Sequence, residues 1–338
     1  MSPAAAPRPS PEKIFDALTR YQQTFALKAG IELELFTAIA EGANEPASLA
    51  KRTQAAERGV RILADYLTVQ GFLAKENGKY TLTPDAAIFL DKRSSAYMGG
   101  MAEFLVSDQN LDNMQILTKS VRKGGTASEI GDNTKPVDDR WVNFARSMSA
   151  MAVPMAGVLT QMLAPGSGPI RVLDIAAGHG MYGITVARNL PSVHVTAVDW
   201  PAVLQVAKEN AAKAGVLDRF STRPGSAFDA DLGEGYDYVF ITNFLHHFDP
   251  QTNEQLLRRF HAALKPGGKA LAVEFVPNPD RVTPPMAAAF GLVMLAHTDA
   301  GDAYTLAEYE IMFHAAGFKR LTLHQVPDLP QRIVEAEK

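Results

Sequence analysis

The chain has 338 residues, 46% apolar and 21% charged, values of a globular protein of one large or two ordinary domains. A formal charge of −4 gives no general attraction to polyanions. The absence of cysteine excludes disulfide frameworks, thiolate metal sites and cysteine nucleophiles.

Residues 1–12 are rich in Ala and Pro and read as a flexible tail, without the apolar stretch of a secretory signal. Nowhere is there a run of about 18 apolar residues, so no membrane span is expected, and a cytoplasmic protein is the expectation. Ile14, Leu18, Tyr21, Phe25 and Ala29 recur at three- and four-residue steps. That period predicts an amphipathic helix over Lys13–Ala29, punctuated by Gly30. Ser48–Gln54 and Arg58–Gln70 read as two further helices, with Gly71 where a left-handed cap favours glycine. Asn77-Gly78 between Phe72–Ala74 and Tyr80–Leu82 signals a hairpin.

Helix, helix and hairpin describe a winged-helix domain over residues 13–110. Residues 1–110 hold 12 basic and 13 acidic residues, and the second helix is largely Val60, Ile62, Leu63, Leu67 and Val69. A DNA reader needs an exposed basic face. A packing or dimerisation module is therefore expected, with no nucleic-acid partner.

Residues 111–140 read as linker and loop, because 120–139 is polar and glycine-rich. Trp141–Leu163 returns to helix. From Ile170 the pattern alternates, with strands expected at Arg171–Ile175, Val193–Val198, Tyr238–Thr242, Ala270–Val276 and Leu321–Val326. The fold class is α/β, a Rossmann-like parallel sheet over residues 141–338 behind the helical winged-helix domain. Ligands of such sheets bind beyond the carboxyl ends of the strands.

The first strand ends in Asp174-Ile175-Ala176-Ala177-Gly178-His179-Gly180. Glycines at 178 and 180 let the backbone approach a ligand closely. Ala176 stands where a dinucleotide loop has its first glycine, and Asp174 would repel a pyrophosphate, so a cationic ligand fits better. Asp199 ends the next strand, 25 residues after Asp174. It can hold ribose hydroxyls, or cap the helix that opens at Pro201.

Val-Leu-Asp-x-x-x-Gly-x-Gly, the acid of the second strand, Asn243-Phe244-Leu245-His246 after the fourth and Leu264-Lys265-Pro266-Gly267-Gly268 before the fifth together resemble the class I S-adenosylmethionine-dependent methyltransferases. The chain is similar, from about Lys13 to its end, to the two-domain small-molecule O-methyltransferases of the caffeic acid and acetylserotonin type. The resemblance implies S-adenosylmethionine as cofactor, a small aromatic acceptor, a homodimer built on the winged-helix domain, and a place in secondary metabolism. It implies cofactor contacts from Asp174, Gly178, Gly180, Asp199 and Asn243. It also places Ser226 and Phe228 against adenine, although the family often has an acid where Ser226 stands.

Histidine is the side chain whose ordinary pKa lies nearest neutrality, which suits it to take a phenol's proton. By the resemblance the base is His246. Glu274, 28 residues on in an apolar strand, needs a partner, and the imidazole N–H of His246 would be one; a structural ion pair is the other reading. Trp141, Phe144, Met148, Met151, His247, Met294 and His297 are the expected acceptor wall, although a Met/aromatic stripe also suits a core. No carboxylate cluster suggests a metal. N- or C-methylation, a non-methylating homologue, or a cofactor-sensing DNA-binding regulator remain the alternatives.

Overall fold

The computed structural model describes residues 9–129, 138–163 and 168–338, and the chain divides into two compact units, Met1–Val106 and Ser107–Lys338. The first unit is mainly helical. The expected helix over Lys13–Ala29 is two helices, Glu12–Thr19 and Tyr21–Glu32, parted at Arg20. Gly30 does not break the second; it is buried there, where a Cβ would stand 3.1 Å from both Leu67 and Phe36. Its value is close packing. The apolar stripe found by periodicity is largely solvent-facing, with Ile14 63% and Leu18 68% exposed.

Helices Leu35–Ala40, Pro46–Thr53 and Glu57–Val69 pack Leu35, Phe36, Leu49 and Leu67 around Tyr80. Tyr80 lies on the hairpin β1 (Leu73–Glu76) and β2 (Lys79–Leu82). Asn77 and Gly78 both have positive φ, as the two-residue turn requires. Asp65 accepts bonds from Arg61, Lys75 and the Tyr80 hydroxyl, so the basic residues of this wing are neutralised internally.

The second unit opens with helices Asp108–Gln115 and Leu117–Lys123, so part of the stretch read as linker is ordered helix. Residues 130–137 of that stretch lie outside the described residues. The long helix Asp138–Met162 follows. Then come β3 (Ile170–Ile175), β4 (Val193–Asp199), β5 (Phe220–Pro224), β6 (Tyr236–Thr242), β7 (Leu264–Glu274), β8 (Arg320–Gln325) and β9 (Arg332–Glu337). They form one seven-stranded sheet in the order β5-β4-β3-β6-β7-β9-β8. The first five are mutually parallel and β9 is antiparallel to both its neighbours. Alternate residues of β3, Val172 against Leu173 and Ile175, feed two separate cores. That is the burial of a sheet covered on both faces. Two strands had not been expected as such: β5, an edge strand carrying Arg223 and Pro224, and the charged β9. Among the described residues no helix is long and apolar enough to cross a membrane.

The chain runs outward from β3 to β4 and β5, then returns to β6 on the other side of β3. The reversal opens a crevice beyond the carboxyl end of β3. Gly183, in the helix Met181–Asn189 that follows, lets that helix sit against the sheet. A Cβ there would lie 2.7 Å from Val195 Cγ1 and 3.1 Å from Asp174 Oδ2. Helix propensity alone favours Ala over Gly by about 1 kcal/mol, but overpacking costs about 1–3 kcal/mol. Gly183→Ala is therefore expected to lower the thermal unfolding midpoint; an unchanged or raised midpoint would show that the helix can move away freely.

Candidate active site

Asp174 ends its role in β3 completely buried. Its Oδ2 accepts the Gly183 N–H at 3.3 Å, while Oδ1 has no partner among the described residues. Burial pushes this carboxyl up to about 7, against the pull of the Gly183 N–H and with a further push from Asp199. Asp199 is in turn pushed up to about 6 by burial, opposed by two backbone N–H groups. Those are Gly178 N to Oδ2 (2.8 Å) and Trp200 N to Oδ1 (2.7 Å). Asp199 does not cap the following helix: Trp200 occupies that position, with Pro201 as the first helical residue. Each Asp199 oxygen keeps a second lone pair for a ligand.

The two loop glycines differ. Gly178 has φ +56 and open space where a Cβ would stand, apart from the Ala176 carbonyl at 3.9 Å. At Gly180 a Cβ would press on Ala207, Ile184 and Phe220 at 3.0–3.1 Å, so interior packing and its φ of +71 both demand a glycine here. Between them, buried His179 is held near pKa 4 by desolvation and accepts the Met181 N–H, capping the helix as a neutral ring.

On the other side of β3, β6 delivers Asn243 at φ +51 and then the turn Leu245–His247. Asn243 Nδ2 donates to the Tyr182 hydroxyl at 3.0 Å, and Asn243 Oδ1 is buried without a partner among the described residues. His246 is 3% exposed. Its Nδ1 lies 2.5 Å from Oε2 of Glu274, which is itself 0% exposed at the tip of the neighbouring strand β7. Glu274 Oε1 accepts the N–H groups of Phe244 (2.9 Å) and Leu245 (2.8 Å). With three donors the buried carboxylate is fully provided for. A carboxylate has no proton to give, so the pair fixes the proton on Nδ1 and leaves Nε2 with a free lone pair.

Several residues that hold this dyad were not anticipated. Phe290, in helix Pro285–His297, sets its ring edge-on to His246 at 4.8 Å, and Phe275 stacks on Phe290 at 3.9 Å. Asn253 Nδ2 donates to the carbonyls of Leu245 and Phe248, and the Tyr304 hydroxyl to that of Phe248. Gly301 backs onto the His246 carbonyl so closely that a Cβ would collide with it. Long sequence separations hide the contacts of Phe290, Gly301 and Tyr304.

The expected acceptor residues fall into two groups. The His247 ring lies 4.4 Å from that of His246 and meets Trp141 edge-on at 5.7 Å, while Trp141 also contacts Phe144. His297 and Met294 are buried at the end of the helix that carries Phe290. Met148 is half-buried and Met151 exposed, further along the Trp141 helix. Phe228 is 44% exposed, so it is no core residue; it meets Phe248 edge-on, and the Ser226 hydroxyl accepts the Phe228 N–H. Among the described residues no group of three or more acids or histidines is placed to hold a metal ion.

Comparison with known proteins agrees with this geometry. Residues 133–319 match the O-methyltransferase domain, and residues 15–92 the O-methyltransferase dimerisation domain. The chain is 30% identical, over 91% of its length and 89% of the relative's, to a 3-hydroxy-5-methyl-1-naphthoate 3-O-methyltransferase of Streptomyces sahachiroi. It is 29% identical to the acetylserotonin O-methyltransferase of Mus musculus, over 92% of this chain and 84% of that one. A solved structure described as a putative O-methyltransferase of Nostoc punctiforme superposes with a TM-score of 0.93 at 47% identity, covering 98% of this chain and all of that one (100%). The chain thus belongs to the S-adenosylmethionine-dependent O-methyltransferases that carry an N-terminal dimerisation domain, the type that acts in secondary metabolism. The crevice fits that cofactor: a buried carboxylate with an orphaned oxygen suits a ligand carrying an ammonium and a sulfonium.

Asp174 has a consequence for stability. Its folded pKa of about 7 exceeds the ordinary 3.8, so the folded state binds the extra proton and loses stability as pH rises toward 7. Asp174→Asn is therefore expected to stabilise the ligand-free protein, by about 2 kcal/mol more at pH 8 than at pH 5.5. Chemical denaturation at the two pH values checks this; a variant no more stable than wild type at pH 8 would contradict it.

Proposed function

We propose that the chain methylates a hydroxyl of a small aromatic metabolite, with His246 as general base. The observation that carries the reading is the buried contact of 2.5 Å between His246 Nδ1 and Glu274 Oε2, one strand away from the Asp174 crevice. Asp174, Asp199 and Asn243 would hold the cofactor, with Gly178 admitting it close to the backbone and Gly180 shaping the loop. Ser226 and Phe228 would flank its adenine. When bound, S-adenosylmethionine supplies a methyl group already activated by its positive sulfur.

The chain's own work is then positioning, exclusion of water and movement of one proton. His246 Nε2 takes the hydroxyl proton of the acceptor as the new O–C bond forms. Glu274, a positioning residue, stabilises the resulting imidazolium. Trp141, Phe144, Met148, Met151 and Met294 form the apolar wall, and His247 and His297 its polar part. Two relatives act on flat aromatic hydroxyls, as their names 3-hydroxy-5-methyl-1-naphthoate and acetylserotonin O-methyltransferase indicate, which supports that acceptor class. We assign catalysis to the second unit, chiefly residues 141–338. We assign self-association as a homodimer to residues 13–110, with 1–12 a tail and 111–140 a connection. The exposed stripe of Ile14, Phe15 and Leu18 supports a homodimer.

His246→Ala is expected to lower kcat about 10²–10⁴-fold while calorimetric affinity for S-adenosylhomocysteine stays unchanged. The product should gain one methyl group, located on oxygen by NMR. Near-wild-type turnover in the variant would remove His246 from the chemistry, and a carbon- or nitrogen-bound methyl would remove the acceptor assignment.

A further inference from the structure

His297 is buried at the carboxyl end of its helix, and its Nδ1 lies 2.8 Å from the Val293 carbonyl. A carbonyl oxygen can only accept, so Nδ1 carries the proton. In the neutral ring Nε2 is then a bare lone pair, and this atom is buried with no partner among the described residues. Burial lowers the pKa of this ring, against the bond to Val293, and the charge of Arg140 lowers it further. The result is an acceptor-only nitrogen in the interior, on the helix whose Phe290, two turns earlier, meets the His246 ring.

His247 joins it. Burial, His246, Arg140 and His297 together hold its pKa well down, so the three histidines and Arg140 lie within electrostatic reach of one another. Its Nδ1 is likewise buried without a partner among the described residues. Buried polar atoms left without partners are costly and uncommon, and two of them beside a reacting centre point to a ligand that completes them. An anionic group does not suit Nε2 of His297, since lone pair would face lone pair. A hydroxyl does.

Resting on the aromatic-hydroxyl reading above, we propose that the acceptor carries, beside the hydroxyl that is methylated, a second hydroxyl that donates a hydrogen bond to Nε2 of His297. The substrate is accordingly a dihydroxylated aromatic, and the His247–His297 pair is a specificity subsite distinct from the base. His297 binds and takes no part in proton transfer to His246.

The test uses the full chain with S-adenosylmethionine and matched acceptors: 1- and 2-naphthol against naphthalenediols with the second hydroxyl ortho, peri or on the far ring. At least one diol is expected to show kcat/KM about tenfold or more above its parent naphthol, since a site built to bond a hydroxyl discriminates against the analogue lacking it. His297→Phe should erase that advantage through KM, His297→Gln, which keeps an acceptor oxygen, should restore part of it, and neither should alter affinity for S-adenosylhomocysteine. Equal kcat/KM for naphthols and all diols overturns the proposal, as does a diol advantage that survives His297→Phe. Failure of the underlying reading looks different: S-adenosylhomocysteine binds, yet no phenol of either kind is methylated, and the proposal falls with it.

Discussion

The second unit is organised around a carboxylate that has no access to water. Glu274 stands at the end of β7, wholly buried, and only satisfied hydrogen bonds make an ionised group tolerable there. Its three donors all come from the segment 244–246 that leaves β6. The strand tips of β6 and β7 are thereby tied together by one side chain, and His246 is fixed in tautomer and direction by the same bond. Phe290 and Phe275 close the other side of the ring, and Asn253 and Tyr304 hold the carbonyls of the turn. A histidine clamped in this way loses little rotational freedom when an acceptor arrives, which is the structural meaning of preorganisation.

The crevice beside β3 is built on the opposite principle. Asp174 is buried without enough partners, so its carboxyl is pushed up to about 7. Asp199, pushed up to about 6, shares the strain although two N–H groups support it. A cationic cofactor would relieve both. A bound cation would recover the stability that this burial costs, whereas the dyad one strand away already has its hydrogen bonds satisfied. The strand tips therefore rest on different physics: a carboxylate short of partners at β3, and a satisfied pair at β6 and β7.

Much of this was legible in the sequence because the sheet writes its period plainly. β3 and β6 are buried almost throughout and read as apolar runs, and the acids Asp174 and Asp199 mark the tips of β3 and β4 visibly. The pairing of His246 with Glu274 was also open to inference, since a glutamate among Leu271, Ala272, Val273 and Phe275 must find a partner. What stayed hidden depends on tertiary context. β9 carries Arg332, Glu335 and Glu337, and it is strand-like only because β7 and β8 flank it. Gly30 and Gly180 look like punctuation or ligand contacts in one dimension and are packing glycines in three. Phe290 and Tyr304 reach the histidine turn across long stretches of chain that no local pattern connects.

The most direct test of the central claim is the tautomer of His246, read from the ring nitrogens by NMR on histidine-labelled protein with the ring neutral. The account predicts a proton on Nδ1, hydrogen-bonded to Glu274, and an unprotonated Nε2. A proton resident on Nε2, with Nδ1 bare, would contradict it.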